Sequence, residues 1–225
     1  MAQDATVLRR EYDENGYTVL RAAAPLEVAQ GLLGLITNVM QRQDVAQRMI
    51  SRPSVNTKPS YEFHSSQFPA VYGFHWGLTS RLCELTGKRL APSYCFFRAY
   101  QKDDRCTVHS DRPACDHSMS LALGYADGAI WPIEVGRRYL TVEEANTIKI
   151  AEDFGDEAYS SVALNPGDAL VYKGVNHRHG RVTPNPNRWS AHLFLHWVDL
   201  EGPFAEWAFD KRPPPAPGDF AFPVS

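Results

Sequence analysis

Apolar residues recur along this chain at two spacings, and the change from one to the other divides it. Over residues 25–43, Leu26, Ala29, Leu32, Leu33, Ile36, Val39 and Met40 fall three or four positions apart. That repeat predicts a helix opened by Pro25, with its apolar stripe turned to a core. Residues 5–15 predict a shorter helix, stopped at Asn15-Gly16 because glycine enters the left-handed conformation without steric cost. Tyr17 to Leu20 follows as a strand, and residues 76–85 read as a further helix ended near Gly87. From about residue 90 the period drops to two. Residues 94–100 are rich in aromatics and form a strand. A polar turn at residues 102–105 leads into Cys106 to His109, and residues 118–123 alternate polar and apolar in the manner of a half-buried strand. The turn Pro166-Gly167-Asp168 precedes the apolar run Ala169 to Tyr172, and residues 188–197 supply the last strand.

Three stretches interrupt these patterns. Residues 48–67 are polar and contain Pro53 and Pro59, so they read as a loop and a candidate flap over a site. Residues 141–156 are acidic and belong at the surface, with a short strand expected over 147–151. Pro213-Pro214-Pro215-Ala216-Pro217 makes the C-terminus extended. Strands over 90–200 with helices gathered on the N-terminal side predict a mainly β fold with N-terminal helices (α+β). The expected form is a double-stranded β-helix, or jelly roll, braced by helices on one outer face. The organisation expected is a single domain over residues 1–225: helical support in 1–90, jelly-roll core in 91–200 and a C-terminal extension in 201–225. No internal repeat is visible.

Composition narrows the function. A chain of 225 residues with 44% hydrophobic and 22% charged residues suits a globular domain with a sizeable core. A net charge of −3 offers no broad attraction for nucleic acid. Neither a charged-then-apolar leader nor an apolar run of about eighteen residues is present, so a cytoplasmic location without a membrane partner is expected. Cys83, Cys95, Cys106 and Cys115 lack Cys-x-x-Cys pairing, which fits reduced core thiols rather than a zinc knuckle.

The candidate chemistry sits at His109-Ser110-Asp111. In an extended segment alternate side chains share a face, so His109 and Asp111 point together while Ser110 points away. With a third histidine from a neighbouring strand they would form a two-histidine, one-carboxylate facial triad that leaves the opposite face of an octahedral ion open. His177 and His179 are both available, on one face of a continued strand. Arg188 and Ser190 likewise share a face in the last strand, where an arginine fork would grip a carboxylate with two charge-assisted bonds.

From Tyr94 to Trp197, through Tyr100, His109, Asp111, the Pro-Gly-Asp turn, His179, Arg188 and Ser190, the chain resembles the Fe(II)- and 2-oxoglutarate-dependent dioxygenases, in the branch similar to prolyl 4-hydroxylases. The resemblance implies iron held by His109, Asp111 and one of His177 or His179, which stand eleven and nine residues before Arg188 where about ten is usual. The surroundings of His179-Gly180-Arg181 and of Leu193 to Asp199 resemble a bacterial subgroup and favour His179. The resemblance also implies that Arg188 receives the distal carboxylate of 2-oxoglutarate, helped by Ser190 and Tyr100. The expected cofactors are Fe(II), 2-oxoglutarate as co-substrate and O₂. The expected reaction is hydroxylation of an unactivated C–H bond of a small molecule or peptide, with release of succinate and CO₂. Asp111 speaks against halogenation, since related halogenases lack that carboxylate. The alternatives are a cupin-like metal-binding or regulatory protein without oxidative activity, and a zinc-dependent hydrolase or isomerase. Neither needs a cation placed for a dicarboxylate. Arg98, Arg112 and Asp116 are further candidates for substrate or supporting contacts, whereas His117, His192 and His196 read as satisfied core or surface histidines.

Overall fold

The first helix, α1 (Ala5–Asn15), is set at both ends by local chemistry. The Asp4 carboxylate accepts from the Thr6 N–H at 2.8 Å, and Gly16, at φ 78°, donates its N–H to Tyr12 O. A Cβ on Gly16 would also lie 2.0 Å from His177 Nε2, so the position is closed to other residues twice over. Strand β1 (Tyr17–Leu20) leads to α2 (Leu26–Met40), which buries Ala29, Leu32 and Ile36. The computed structural model describes residues 3–42, 47, 49–64, 68–214 and 216–218, so Gln43, where α2 was expected to end, lies outside the described residues.

The expected loop 48–67 contains two strands instead, β2 (Ile50–Ser51) and β3 (Ser60–His64). Its few apolar residues carry no period, yet Phe63 is buried and stacks on Phe97 at 5.1 Å. The partner strand, rather than local propensity, makes β3. The expected helix 76–85 is two helices, α3 (Pro69–Gly77) and α4 (Thr79–Thr86), broken at Leu78, whose N–H reaches back to His75 O. There follow β4 (Leu90–Gln101), β5 (Cys106–His109), a 3₁₀ turn over Pro113–Cys115, β6 (His117–Tyr125) and β7 (Ile133–Gly136). The segment expected as strand 147–151 is not one. Thr141 and Glu144 form a reciprocal capping box that starts the short helix α5 (Val142–Thr147), and Ala151 makes only an isolated bridge to Val108. Then come β8 (Tyr159–Val162), β9 (Ala169–Tyr172), β10 (His179–Arg181) and β11 (Trp189–Asp199), followed by irregular turns over Ala205–Lys211.

The strands form two antiparallel sheets, ordered β1-β9-β6-β11-β4-β3-β2 and β5-β10-β7-β8. Alternation in the larger sheet sorts its residues. Cys95, Phe97, Met119, Leu121, Leu193, Leu195 and Trp197 pack on the helices together with Leu8, Ala29, Ile36, Val71 and Leu82. The intervening positions face the smaller sheet, where Leu170 and Tyr172 meet Ile133 and Val135. Each fully buried large side chain of this kind contributes about 1.5–3 kcal/mol. The architecture is therefore a jelly roll braced by helices on one outer face. The entry to β9, which lies between β1 and β6, is anchored by the Pro-Gly-Asp turn. Gly167, at φ 93°, passes so close to Ala24 O that a Cβ would sit 2.6 Å away, and the Asp168 carboxylate accepts from Ala22 N–H and from Arg21 Nη1.

Candidate metal centre and anion site

His109 closes β5 and His179 opens β10, and the two are direct register partners. Antiparallel partners project to the same face, so the imidazoles lie side by side, ring centroids 4.6 Å apart. Asp111 follows two residues after His109, its N–H held by Gly174 O at 2.9 Å. Its carboxylate reaches both rings: Oδ1 is 3.6 Å from His109 Nε2 and Oδ2 is 3.5 Å from His179 Nε2. Both rings are oriented from behind. His109 Nδ1 lies 2.7 Å from Thr107 O and His179 Nδ1 lies 3.0 Å from His177 O. A carbonyl only accepts, so each Nδ1 carries a proton and each Nε2 is turned to the carboxylate, the arrangement a divalent cation requires of its imidazole ligands. Burial pushes the Asp111 carboxyl up, but His179 and His109 outweigh it and hold it well below the ordinary range. Burial lowers His179, and Asp111 more than reverses this, so its pKa is raised.

Gly174 is what allows the carboxylate to sit there. A Cβ at that position would stand 2.4 Å from Asp111 Oδ2, 2.6 Å from Ser118 Oγ and 2.7 Å from Cys115 O. Ser118 Oγ in turn lies 3.3 Å from Asp111 Oδ2 and 2.9 Å from His196 Nδ1. A second donor set, Asp111, Cys115 and His196, shares the carboxylate, and the Ser118 hydroxyl bonds within it to Asp111, to His196 and to Cys115 O.

The triad opens into a cavity of about 270 Å³ between the sheets. Arg181, two residues after His179 and therefore on the same face of β10, lines it and is 1% exposed. Its Nη2 donates to His192 Nδ1 at 3.3 Å, and its guanidinium lies over the Trp131 ring. Burial and the adjacent cation keep His192 well below its ordinary pKa, so the ring is neutral and can accept. Arg181 Nε has no partner, and among the described residues no carboxylate comes within ion-pair distance of this guanidinium. A buried cation without a counter-ion is costly, and the natural resolution is an anionic ligand.

Chains of known structure share this arrangement of sheets. The protein superposes on the non-haem α-ketoglutarate-dependent carbocyclase SnoK of nogalamycin biosynthesis with a TM-score of 0.69 at 11% identity, over 89% of this chain and 87% of the carbocyclase. A Pseudomonas putida prolyl-4-hydroxylase aligns with a TM-score of 0.57 at 12% identity, over 86% and 98% of the two chains. The fold is therefore one that these solved enzymes share. HygX from Streptomyces hygroscopicus, whose structure holds nickel and 2-oxoglutarate, aligns with a TM-score of 0.58 at 10% identity, over 85% and 86% of the chains. No family model and no curated protein matches the sequence.

Within this fold the residues expected from the sequence divide. His109, Asp111 and His179 come together. His177 does not join them: its Nδ1 bonds Gly136 O and its Nε2 packs on Gly16. Arg188 is not brought to the cavity, and the expectation for it is corrected. Its side chain is 74% exposed and its Nε is bound to Asp127 Oδ1 at 2.9 Å, while Asp127 Oδ2 takes the Arg188 N–H. Alternation holds only inside a strand, and β11 begins one residue later, at Trp189. Ser190 is buried but committed to Asn185 and Asn187. Tyr100 does line the cavity, its hydroxyl accepting from Arg98 Nη1 at 3.2 Å. Arg181, which lines the cavity, is not among the residues expected from the sequence, although its place two residues after His179 is a readable signal. Arg112 lies at the cavity, over Tyr94 and ion-paired to Asp210, while Asp116 accepts from Asp199 N–H. Cys106 and Cys115 are buried free thiols, and Cys95 is buried with its Sγ directed at Val71 O. Among the described residues no helix is long and apolar enough to cross a membrane.

Proposed function

We propose that this protein is an Fe(II)- and 2-oxoglutarate-dependent oxygenase, with His109, Asp111 and His179 as iron ligands and Arg181 as the receptor for the far carboxylate of 2-oxoglutarate. The observation that carries this reading is the buried Arg181 guanidinium, its Nε without a partner and no carboxylate of the described residues within ion-pair distance, in the same cavity as a two-histidine, one-carboxylate cluster. A hydrolase or isomerase built on the same ligands has no use for that cation. The donor set fits a first-row divalent ion with open coordination positions, two neutral imidazoles and one carboxylate being the usual complement of non-haem iron. When bound, iron with 2-oxoglutarate and O₂ supplies the oxidising power for C–H chemistry. The proposed net reaction takes substrate R–H, O₂ and 2-oxoglutarate to R–OH, succinate and CO₂.

The chain's own residues supply position and shelter. Thr107 O and His177 O fix the two imidazole tautomers. Gly174 and Ser118 fix the carboxylate. Arg181, backed by His192 and Trp131, offers the far end of a dicarboxylate a charge-assisted bond at its unused Nε. Phe96, Phe194, Tyr172 and Ile133 line the walls and keep water from the reacting bond. The test is anaerobic addition of Fe(II) and 2-oxoglutarate to metal-free protein, followed by O₂. A weak visible charge-transfer band and then succinate are expected. Folded protein that gives no band, or an Asp111→Ala variant that still forms succinate at the original rate, overturns the proposal.

A further inference from the structure

Three guanidinium groups line the cavity, and two of them arrive already neutralised. Arg98 gives its Nε and Nη2 to Glu62 Oε2 at 2.7 and 2.6 Å. Glu62 on β3 and Arg98 on β4 are register partners, and their side chains are 7% (Arg98) and 17% (Glu62) exposed. Arg112 gives its Nη2 to Asp210 at 2.9 Å. Arg181 is the third, and among the described residues no carboxylate lies within ion-pair distance of it, Glu134 acting on it only from farther off. With a divalent ion at the triad, Asp111 leaves one positive charge; Arg181 adds a second, and dianionic 2-oxoglutarate cancels both. Loaded in this way, the cavity is electrically neutral and keeps no uncommitted charge for a substrate.

What remains unused is of a different kind. Val55, Phe96 and Phe194 present apolar surface, and two neutral polar atoms, Ser110 Oγ and His196 Nε2, are buried without a partner. Buried polar atoms are normally satisfied, so these two call for hydrogen-bonding groups from a ligand. The cavity, at about 270 Å³, falls just below the range of about 300–1,000 Å³ usual for small-molecule sites and must also hold the co-substrate.

Resting on the oxygenase reading above, we propose that the primary substrate is an uncharged, largely apolar small molecule carrying a hydroxyl or carbonyl group. Glu62 is the specificity-determining residue: by occupying Arg98 it denies the cavity a second anion site. Rejection of the wrong substrate here works through a missing counter-charge, a repulsive element rather than a new contact.

Benzamide and benzoate, nearly identical in shape and different in charge, serve as probes. Each is titrated into the Co(II)- and 2-oxoglutarate-loaded protein, and paramagnetic relaxation of the probe protons reports binding next to the metal. Wild-type protein is expected to prefer benzamide by at least about 100-fold, the consequence of burying a carboxylate without a partner. Glu62→Gln releases Arg98 and is expected to abolish or invert that preference, and the double variant Glu62→Gln/Arg98→Gln to restore it. Should Glu62→Gln fail to fold, Arg98→Gln decides: benzoate binding that falls in this variant shows Arg98 to have been available all along and overturns the inference. The inference is also overturned by benzoate binding wild type as well as benzamide does, by an unchanged ratio in folded Glu62→Gln, or by neither probe relaxing at tens of millimolar. The visible band with Fe(II) and 2-oxoglutarate, recorded on the same preparations, separates the two readings. Its absence sinks the oxygenase proposal, whereas its presence beside tight benzoate binding sinks only this one.

Discussion

Replacing Gly174 by alanine tests whether the carboxylate of the triad is held in place by an absence of bulk. The new Cβ would stand 2.4 Å from Asp111 Oδ2 and 2.6 Å from Ser118 Oγ. Carbon and oxygen approach to about 3.3–3.6 Å at their closest favourable contact, so the carboxylate must retreat by about 1 Å. A displacement of that size disturbs the placement of its oxygens against His109 Nε2 and His179 Nε2, which stand 3.6 and 3.5 Å away. Disturbing the support of a metal ligand lowers metal affinity by about 10–100-fold, or about 1.4–2.8 kcal/mol. Overpacking the site adds about 1–3 kcal/mol of global destabilisation, a fall of about 2–4 °C in Tm per kcal/mol for a chain of this size. Anaerobic titration of metal-free protein with Fe(II) reads the first effect and thermal melting the second. A double-mutant cycle isolates the mechanism: on an Asp111→Ala background the glycine substitution should cost little or no further iron affinity, because the group it displaces is gone. Wild-type iron binding in Gly174→Ala, or equal losses on both backgrounds, refutes the reasoning.

Other outcomes follow from the same geometry. Arg181→Gln should weaken 2-oxoglutarate binding by about 2–5 kcal/mol, the cost of removing one side of a buried charged pair, while Arg188→Gln leaves it near wild type; the reverse order returns the role to Arg188. The pH dependence of the metal-free protein carries a sign from each partner. The depressed Asp111 pKa contributes stability above the ordinary carboxylate value and loses it as pH falls through the depressed one, and the raised His179 pKa contributes below the ordinary imidazole value and loses it as pH rises through the raised one. The stability difference between wild type and Asp111→Asn should therefore peak between about pH 4 and 6.5, and a flat difference across that window contradicts the coupling. Iron must displace the His179 proton, so its affinity should climb with pH through the raised value and level off above it. Leu193→Ala, on the helix-facing side of β11, should cost about 2–5 kcal/mol of stability without changing the dissociation constant of 2-oxoglutarate, as measured by denaturation and titration.

How far the sequence could be read depended on the range of the interaction involved. Asn15-Gly16 and Pro166-Gly167-Asp168 announced a helix end and a strand entry because backbone conformation at a glycine is a local matter. His109 and Asp111 could be placed on one face because alternation reaches across two residues. The 48–67 segment was misread because β3 owes its existence to β4, thirty residues later, and carries only Tyr61 and Phe63 as a signal. The single helix expected over 76–85 failed for a related reason: Val71 and His75 are buried by the sheet and extend the helical region backward, beyond what periodicity announced.

Amino-acid order by itself determined the two spacings and the placing of His109 and Asp111 on one face, since each depends on contacts within a few residues, whereas the jelly roll joins strands as far apart in the chain as β4 and β11. Only the tertiary structure brings His179, rather than His177, beside His109 and Asp111, through the register that sets β10 against β5. It alone decided that Arg188 stays out of the cavity and Arg181 enters it: Asp127, from a turn sixty-one residues earlier, holds Arg188 in solvent, while strand geometry carries Arg181 inward, with no carboxylate of the described residues within ion-pair distance. Charges act through space, and which of them end up neutralised depends on the packing of distant segments rather than on their order in the chain.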